Sequence, residues 1–397
     1  MSLATKDTLS DIPLLRNTLG TMQALFSFLE ASPKRHAIFI KNGDKSFVRT
    51  LKSQSATRWT AAESSRKAVE EELDTIVKAL NEITTHDKDS KVSSEAKSLL
   101  RSVVNFDFLF GMACLKLILP HTSHLSSTIQ SVNIDVLKVR QNADLTISTL
   151  ESCRTDESFK YVWELTEKNS QHVKDIIEEH NIDVDFIEAK LPRQRPSRRR
   201  LGTEEPSCEN TVFDSVQMYN KVNHFFPAID KVTTELKSRF SENDNTILCS
   251  MGKLLSLDQP GDDAFSVVSE FYSLDEDQLK SDHKVFTHAK KKLPDTTSAS
   301  ALFKQFYENK TLGLMPELSK VLKMFSVIPA TSCSSERSFS SLRRLKTYLR
   351  NTMGQERLSN LAIMSIETAF VNRVISEDID DIIKAFAGNH SRHNLLY

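Results

Sequence analysis

The sequence predicts a mainly α fold, and three observations carry that prediction. Glycine and proline are scarce, at 9 and 11 of 397 residues, which argues against a turn-rich all-β protein. Apolar residues make up 39% of the chain and include 22 phenylalanines, enough for a substantial core. Those apolar residues recur at helical rather than alternating spacing over long stretches. The exception is residues 46–52, Ser46-Phe47-Val48-Arg49-Thr50-Leu51-Lys52, whose alternation is compatible with a strand.

Each element follows from its own pattern. Over 14–29, Leu15, Leu19, Met22, Phe26 and Leu29 share a helical face, and Ser32-Pro33 supplies a stop. Three long helices come next. Val69, Leu73, Ile76, Leu80 and Ile83 mark the first, and the second is expected over 94–119, ended by Pro120. The third has the most regular pattern: Leu125, Ile129, Val132, Val136, Val139, Ala143, Ile147 and Leu150, a repeat of about 3.5 residues. Such a repeat serves either an intermolecular coiled coil or antiparallel packing inside one helical domain. Neighbouring helices of matching pattern favour the second. A fourth helix is expected over 159–177.

Residues 191–207 break the pattern. Pro192-Arg193-Gln194-Arg195-Pro196-Ser197-Arg198-Arg199-Arg200 has prolines and like charges but no apolar face, and reads as an exposed loop or linker. Helical spacing resumes with Phe213, Val216, Tyr219, Val222 and Phe225, breaks at Pro227, and continues with Ile229, Val232 and Leu236. Shorter helices reach about residue 307, with loops at 258–263 and 293–298.

Composition excludes several function classes. The 52 basic and 53 acidic residues nearly cancel, so no global field drives nucleic-acid or membrane binding, and any such role rests on local patches. Cys114, Cys153, Cys208, Cys249 and Cys333 are odd in number, far apart and never paired as Cys-x-x-Cys. They encode neither a disulfide framework nor a zinc finger, and point to a reducing, intracellular setting. The first residues lack the apolar run of a signal peptide, and 106–119 is interrupted by Asp107 and Lys116 and too short to span a bilayer, so a soluble protein is expected. His121-x-x-His124 has helical metal-ligand spacing but follows Pro120 and lacks a third partner, so no metal or other cofactor is expected. Trp59 and Trp163 read as packing residues, and no Gly-rich phosphate loop, nucleophile elbow or Cys/His dyad is evident.

The last block is dense. Pro316 suits a first helical turn, and Leu318, Val321, Leu322 and Phe325 form one apolar face that ends at Val327-Ile328-Pro329. The next helix is expected to carry Phe339, Leu342, Leu345 and Leu349 toward a core. After Gly354, a third carries Leu358, Leu361, Ala362, Ile363, Met364 and Ile366, apolar nearly all round. Such a helix is either the centre of its domain or part of a subunit interface.

Residues 314–367 closely resemble the C-terminal dimerisation region of hAT-family transposases. The blocks that carry the resemblance are Ile328-Pro329-Ala330-Thr331-Ser332, Ser335-Glu336-Arg337-Ser338-Phe339-Ser340, 342–350 and Thr352-Met353-Gly354-Gln355-Glu356-Arg357-Leu358. Upstream, Ile12-Pro13-Leu14-Leu15-Arg16-Asn17, 28–36 and Thr57-Arg58-Trp59 are similar to the vertebrate-type subgroup with zinc-finger MYM-type and THAP-domain members. The resemblance implies an RNase H-like core interrupted by a helical insertion. The fold expected is therefore a helical insertion domain plus the C-terminal helices of an incomplete RNase H-like core. Residues 1–58 would be a remnant of that core and 59–305 the insertion, with its basic linker near 191–207. The dimerisation region would be 306–372, and 373–397 a C-terminal tail.

By the same resemblance Glu336 matches the third acid of an Asp-Asp-Glu triad. That chemistry needs two metal ions roughly 4 Å apart, held jointly by three carboxylates. Asp7 and Asp11 lie in no strand-like context, and no Cys-x-x-His block accompanies them. Glu336 is therefore expected to be structural, sharing a helix face with Ser340 and Arg343, and no catalysis is expected. The resemblance makes Leu318, Leu322, Phe325, Phe339, Leu342, Leu349, Leu358, Leu361, Ile363 and Met364 dimerisation or core residues. Arg193, Arg195, Arg198, Arg199 and Arg200, with Arg343 and Arg344, are candidates for nucleic-acid contact or nuclear import, against a solvated linker and an exposed helix face. The expected function is protein association, with itself or with related hAT-derived proteins, in the nucleus. The alternatives are the C-terminal part of an active transposase and a DNA-associated transcriptional regulator.

Overall fold

The computed structural model describes residues 9–43, 50–53, 59–130, 136–191, 213–240, 246–256, 260–292, 299–328, 333–347 and 352–387; side chains are described for all of these but 59–60, 136–138, 333–338 and 387. The chain divides into two compact units, 1–328 and 329–397. Helices dominate both, and no strand occurs among the described residues.

The first unit opens with α1 (Pro13–Glu30), α2 (Pro33–Lys41), α3 (Trp59–Glu71), α4 (Leu73–His86), α5 (Ser90–Val103), α6 (Phe106–Ile129), α7 (Val136–Ser152) and α8 (Asp156–Glu179). After the linker come α9 (Val216–Asn220), a π-helical turn at Lys221–Phe225, and α10 (Phe226–Arg239). The hub is α6, whose apolar residues run nearly all round it and which packs on α1, α3, α7 and α8. Phe106 and Phe110 of α6 meet Phe159 and Trp163 of α8 with ring centroids between 5.1 and 6.4 Å apart. Leu9, Leu15, Phe39 and Leu51 belong to the same core as the helices that follow residue 59. The backbone at 50–53 is irregular, and 46–49, the rest of the expected strand, lies outside the described residues.

Four expectations are corrected here. The helix predicted over 94–119 is two helices, because the chain leaves helical geometry at Val104 and Asn105. There Phe106 N–H donates to Ile187 O (2.9 Å), Ile187 N–H donates to Val104 O (3.1 Å), and Asn105 Oδ1 accepts from Asp107 N–H (2.9 Å) to start α6. Pro120 does not end a helix: α6 runs through it to Ile129. An interior proline costs about 3 kcal/mol. Ile118 and Leu119 before it and Thr122 and Leu125 after it are all buried, and that packing outweighs the lost hydrogen bond. The 125–150 repeat is not one helix either. Gln130 caps α6, residues 131–135 lie outside the described residues, and Val139, Ala143, Ile147 and Leu150 are buried on α7. Packing within one chain therefore uses up the described part of the repeat. The break expected at Pro227 is not found: α9, the π-helical turn and α10 follow one another without a gap, and the proline sits in the first turn of α10.

A second core closes the unit. It is built by α11 (Thr246–Leu255), α12 (Asp262–Tyr272), α13 (Glu276–Lys290), α14 (Ala299–Glu308) and α15 (Pro316–Val327), around Met251, Phe265, Leu279, Phe286 and Phe306. The second unit consists of α16 (Cys333–Leu345), α17 (Gln355–Ile366), α18 (Thr368–Glu377) and α19 (Ile379–Ala387), each packed on its neighbour in the chain.

Candidate functional site

The candidate region begins at α15. Pro316 occupies its first turn, and the N–H groups that would otherwise be orphaned are taken by a residue from another helix. Asp282 of α13 accepts from Glu317 N–H (2.8 Å) and Leu318 N–H (3.1 Å) through Oδ2, and from Gln278 Nε2 (2.7 Å) through Oδ1. Next to it, His283 is buried against Phe265 and Phe286, with ring centroids 5.4 and 6.1 Å away. Burial pushes the His283 pKa down; a hydrogen bond with the Leu254 backbone works against that shift, and nearby Lys290 adds to it. Leu318, Val321, Leu322 and Phe325 all face this core and are buried. Of the predicted dimerisation or core residues, Leu318, Leu322 and Phe325 are thus placed in the interior of the first unit.

The second unit differs. Phe339 is 70% exposed and Leu342 is exposed, which corrects the expectation that this helix turns them toward a core. The reason is architectural: α16 packs on α17, and among the described residues of this unit nothing covers the Phe339 face. Leu349 lies outside the described residues. On α17, Leu358 is buried and Leu361 and Ala362 are half-buried, while Ile363 (58%), Met364 and Ile366 (66%) are exposed. Within one chain α17 is therefore not the buried centre of a domain. Its exposure is compatible with the other reading, a subunit interface. A further signal went unread in the sequence: Ile379, Ile382, Ile383 and Phe386 repeat at helical spacing in the segment expected as a tail. They lie on α19 and are exposed, as are Phe370 and Ile375 of α18.

Glu336 falls in the first turns of α16, and its side chain lies outside the described residues. Arg343 and Arg344 are exposed on the same helix. Arg193, Arg195, Arg198, Arg199 and Arg200 lie outside the described residues. His121 and His124 sit on α6 beyond Pro120, and among the described residues no three His, Cys, Asp or Glu side chains are grouped to hold a metal ion. Trp163 packs in the aromatic cluster and donates Nε1–H to Glu167 (2.6 Å). Cys114 is fully buried, and burial pushes its thiol pKa up, away from reactivity. No helix among the described residues is long and apolar enough to cross a membrane.

Comparison with known proteins bears on this region directly. Residues 289–370 match the hAT family C-terminal dimerisation region. Over 93% of its length the chain is 23% identical to the 52 kDa repressor of the inhibitor of the protein kinase of Mus musculus. It is 24% identical to the protein of the same name in Homo sapiens, again over 93% of its length. The chain spans about half of each of these relatives, 48% and 47%. No solved structure matches it. Residues 289–370 are thus similar to the hAT family C-terminal dimerisation region, within a chain that resembles these two repressors over 93% of its length.

Proposed function

We propose that the protein is an association module, which pairs with a second copy of itself through the second unit and has no catalytic activity of its own. The observation that carries the reading is the exposure of Phe339, Ile363, Met364, Ile366 and Phe370 inside a segment that matches a dimerisation region. Large apolar side chains left in water in one segment mark an interaction surface. Leu318, Leu322 and Phe325 serve it indirectly, by anchoring α15 just before that surface begins. In the same reading, α15 to α18 correspond to the helices that complete an RNase H-like core in hAT transposases, and α3 to α14 to the helical insertion. Sedimentation equilibrium of the full chain is the test. Self-association in the micromolar range is expected, and a monomer across that range overturns the reading.

The absence of activity rests on Glu336 as the one acid of the triad with a counterpart in this sequence. DNA cleavage or strand transfer by the chain with Mg²⁺ or Mn²⁺, abolished in Glu336→Gln, would overturn it. A second reading, DNA-associated regulation in the nucleus, is favoured by the exposed Arg343 and Arg344 and by the 193–200 arginines. It predicts that Arg198, Arg199 and Arg200→Ala together reduce nuclear retention, and unchanged retention counts against it.

A further inference from the structure

We infer that the self-association surface continues past the family-matched region through α18 and α19, and that a second copy of this chain covers it there. This rests on the association reading above and extends it to residues 371–387.

Burial is the first observation. From Ser359 to Phe386 no residue is buried, although the stretch carries Ile363, Met364, Ile366, Phe370, Ile375, Ile379, Ile382, Ile383 and Phe386. On α19, Ile379, Ile382, Ile383 and Phe386 fall at i, i+3, i+4 and i+7 and form one stripe, with Asp380, Asp381 and Lys384 elsewhere on the helix. On α18, Phe370, Val371, Val374 and Ile375 form another. These helices have 10 and 9 residues. Helices shorter than about 12–15 residues are marginal in water, and in proteins they persist because an amphipathic face is packed. The stripes therefore need a cover.

Two observations identify the cover as a second copy. Exposed large apolar residues recur from Ile363, Ile366 and Phe370, inside the matched dimerisation region, to Ile375 and Ile379 beyond it, on helices that each pack on the next. A copy seated on the first part reaches the second. The charges are also self-complementary. Exposed Arg343, Arg344 and Lys346 make α16 basic, while exposed Glu377, Asp378, Asp380 and Asp381 make the α18–α19 junction acidic, with the Lys384–Asp381 pair at its edge. A twofold axis can bring the basic helix of each copy to the acidic junction of the other, so that the same contact is made twice.

The test compares the full chain with Ile382→Asp/Phe386→Asp on α19 and Ile363→Asp/Ile366→Asp on α17, by sedimentation equilibrium in the micromolar range. Removing two large apolar side chains from a covered surface is expected to weaken self-association of the α19 variant roughly 100-fold. Wild-type affinity in the α19 variant, with dissociation of the α17 variant, places the edge of the surface inside the matched region. That outcome overturns this inference and leaves the association reading standing. A monomeric wild-type chain removes both. Amide exchange on the wild-type chain decides the matter should the α19 variant misfold. Protection of residues 371–386 is expected to rise with protein concentration, and equal protection at low and high concentration overturns the inference.

Discussion

Gly111 sits where α6 packs against α1, and a Cβ added there would overlap Thr18 Oγ1 and press on Leu14. Thr18 has little freedom to yield, because its hydroxyl donates to Leu14 O (2.9 Å) inside the core. Overpacking of this kind costs about 1–3 kcal/mol. Gly111→Ala is expected to lower stability by that amount in urea titrations, and Thr18→Ala in the same chain to restore part of it. His283 leads to a pH prediction. Its buried Nε2 has no hydrogen-bond partner and its folded pKa is depressed, so the folded state favours the neutral ring. Below the unfolded pKa, about 6.5, the unfolded chain binds a proton that the folded chain resists. Stability contributed by the neutral ring is thus complete above about pH 6.5 and declines as the pH falls toward the folded pKa. Thermal unfolding between pH 7.5 and about 5 is expected to show this decline, and His283→Leu to flatten it.

At the scale of elements, the contact between α3 and α6 rests on charge as well as packing. Arg66 is buried; Glu63 receives its Nε–H (2.8 Å) and Nη2–H (3.0 Å), and Glu70 its Nη1–H, while Lys116 Nζ reaches Glu70 from α6 (2.6 Å). Burial opposes the Arg66 charge, but the hydrogen bonds to Glu63 and Glu70 more than offset it and hold its pKa above normal. Burial likewise opposes the charge of Glu70, and Lys116 and Arg66 keep its pKa below normal. Removing one partner of a buried ion pair leaves the other charge uncompensated, at about 3–5 kcal/mol. Arg66→Ala is expected to cost that much in chemical denaturation, whereas a conservative change at exposed Lys67 is expected to stay within about 0.5 kcal/mol. Much of the element layout was legible in periodicity, since Leu15, Leu19 and Met22, or Ile76 and Leu80, lie on the faces their spacing implied. Pro120 and the 104–105 break were not. Both depend on what packs from elsewhere: buried neighbours around the proline, and Ile187 pairing back to Val104 and Phe106.

For the whole molecule, the first unit buries its apolar residues in two cores, and the second leaves most of its own exposed. Binding that favours the folded form raises its stability by mass action. The melting temperature of the second unit is therefore expected to rise with protein concentration, while the larger unit's transition stays fixed. Differential scanning calorimetry over a hundredfold concentration range, about 1–100 µM, would resolve the two. Concentration-independent transitions for both would contradict self-association through α16 to α19.

The sequence by itself determined the helical class and the likeness of residues 289–370 to the hAT dimerisation region. Apolar spacing is a local property that any single helix displays, and the Ser335-Glu336-Arg337-Ser338-Phe339-Ser340 block is a string of adjacent residues. Only the tertiary structure decided which apolar faces are satisfied within the chain. α17 is apolar on more of its circumference than α15, yet Leu322 and Phe325 of α15 are buried while Ile363 and Ile366 of α17 stand in solvent. Burial depends on which other elements come to cover a face, and spacing along one helix carries no record of them.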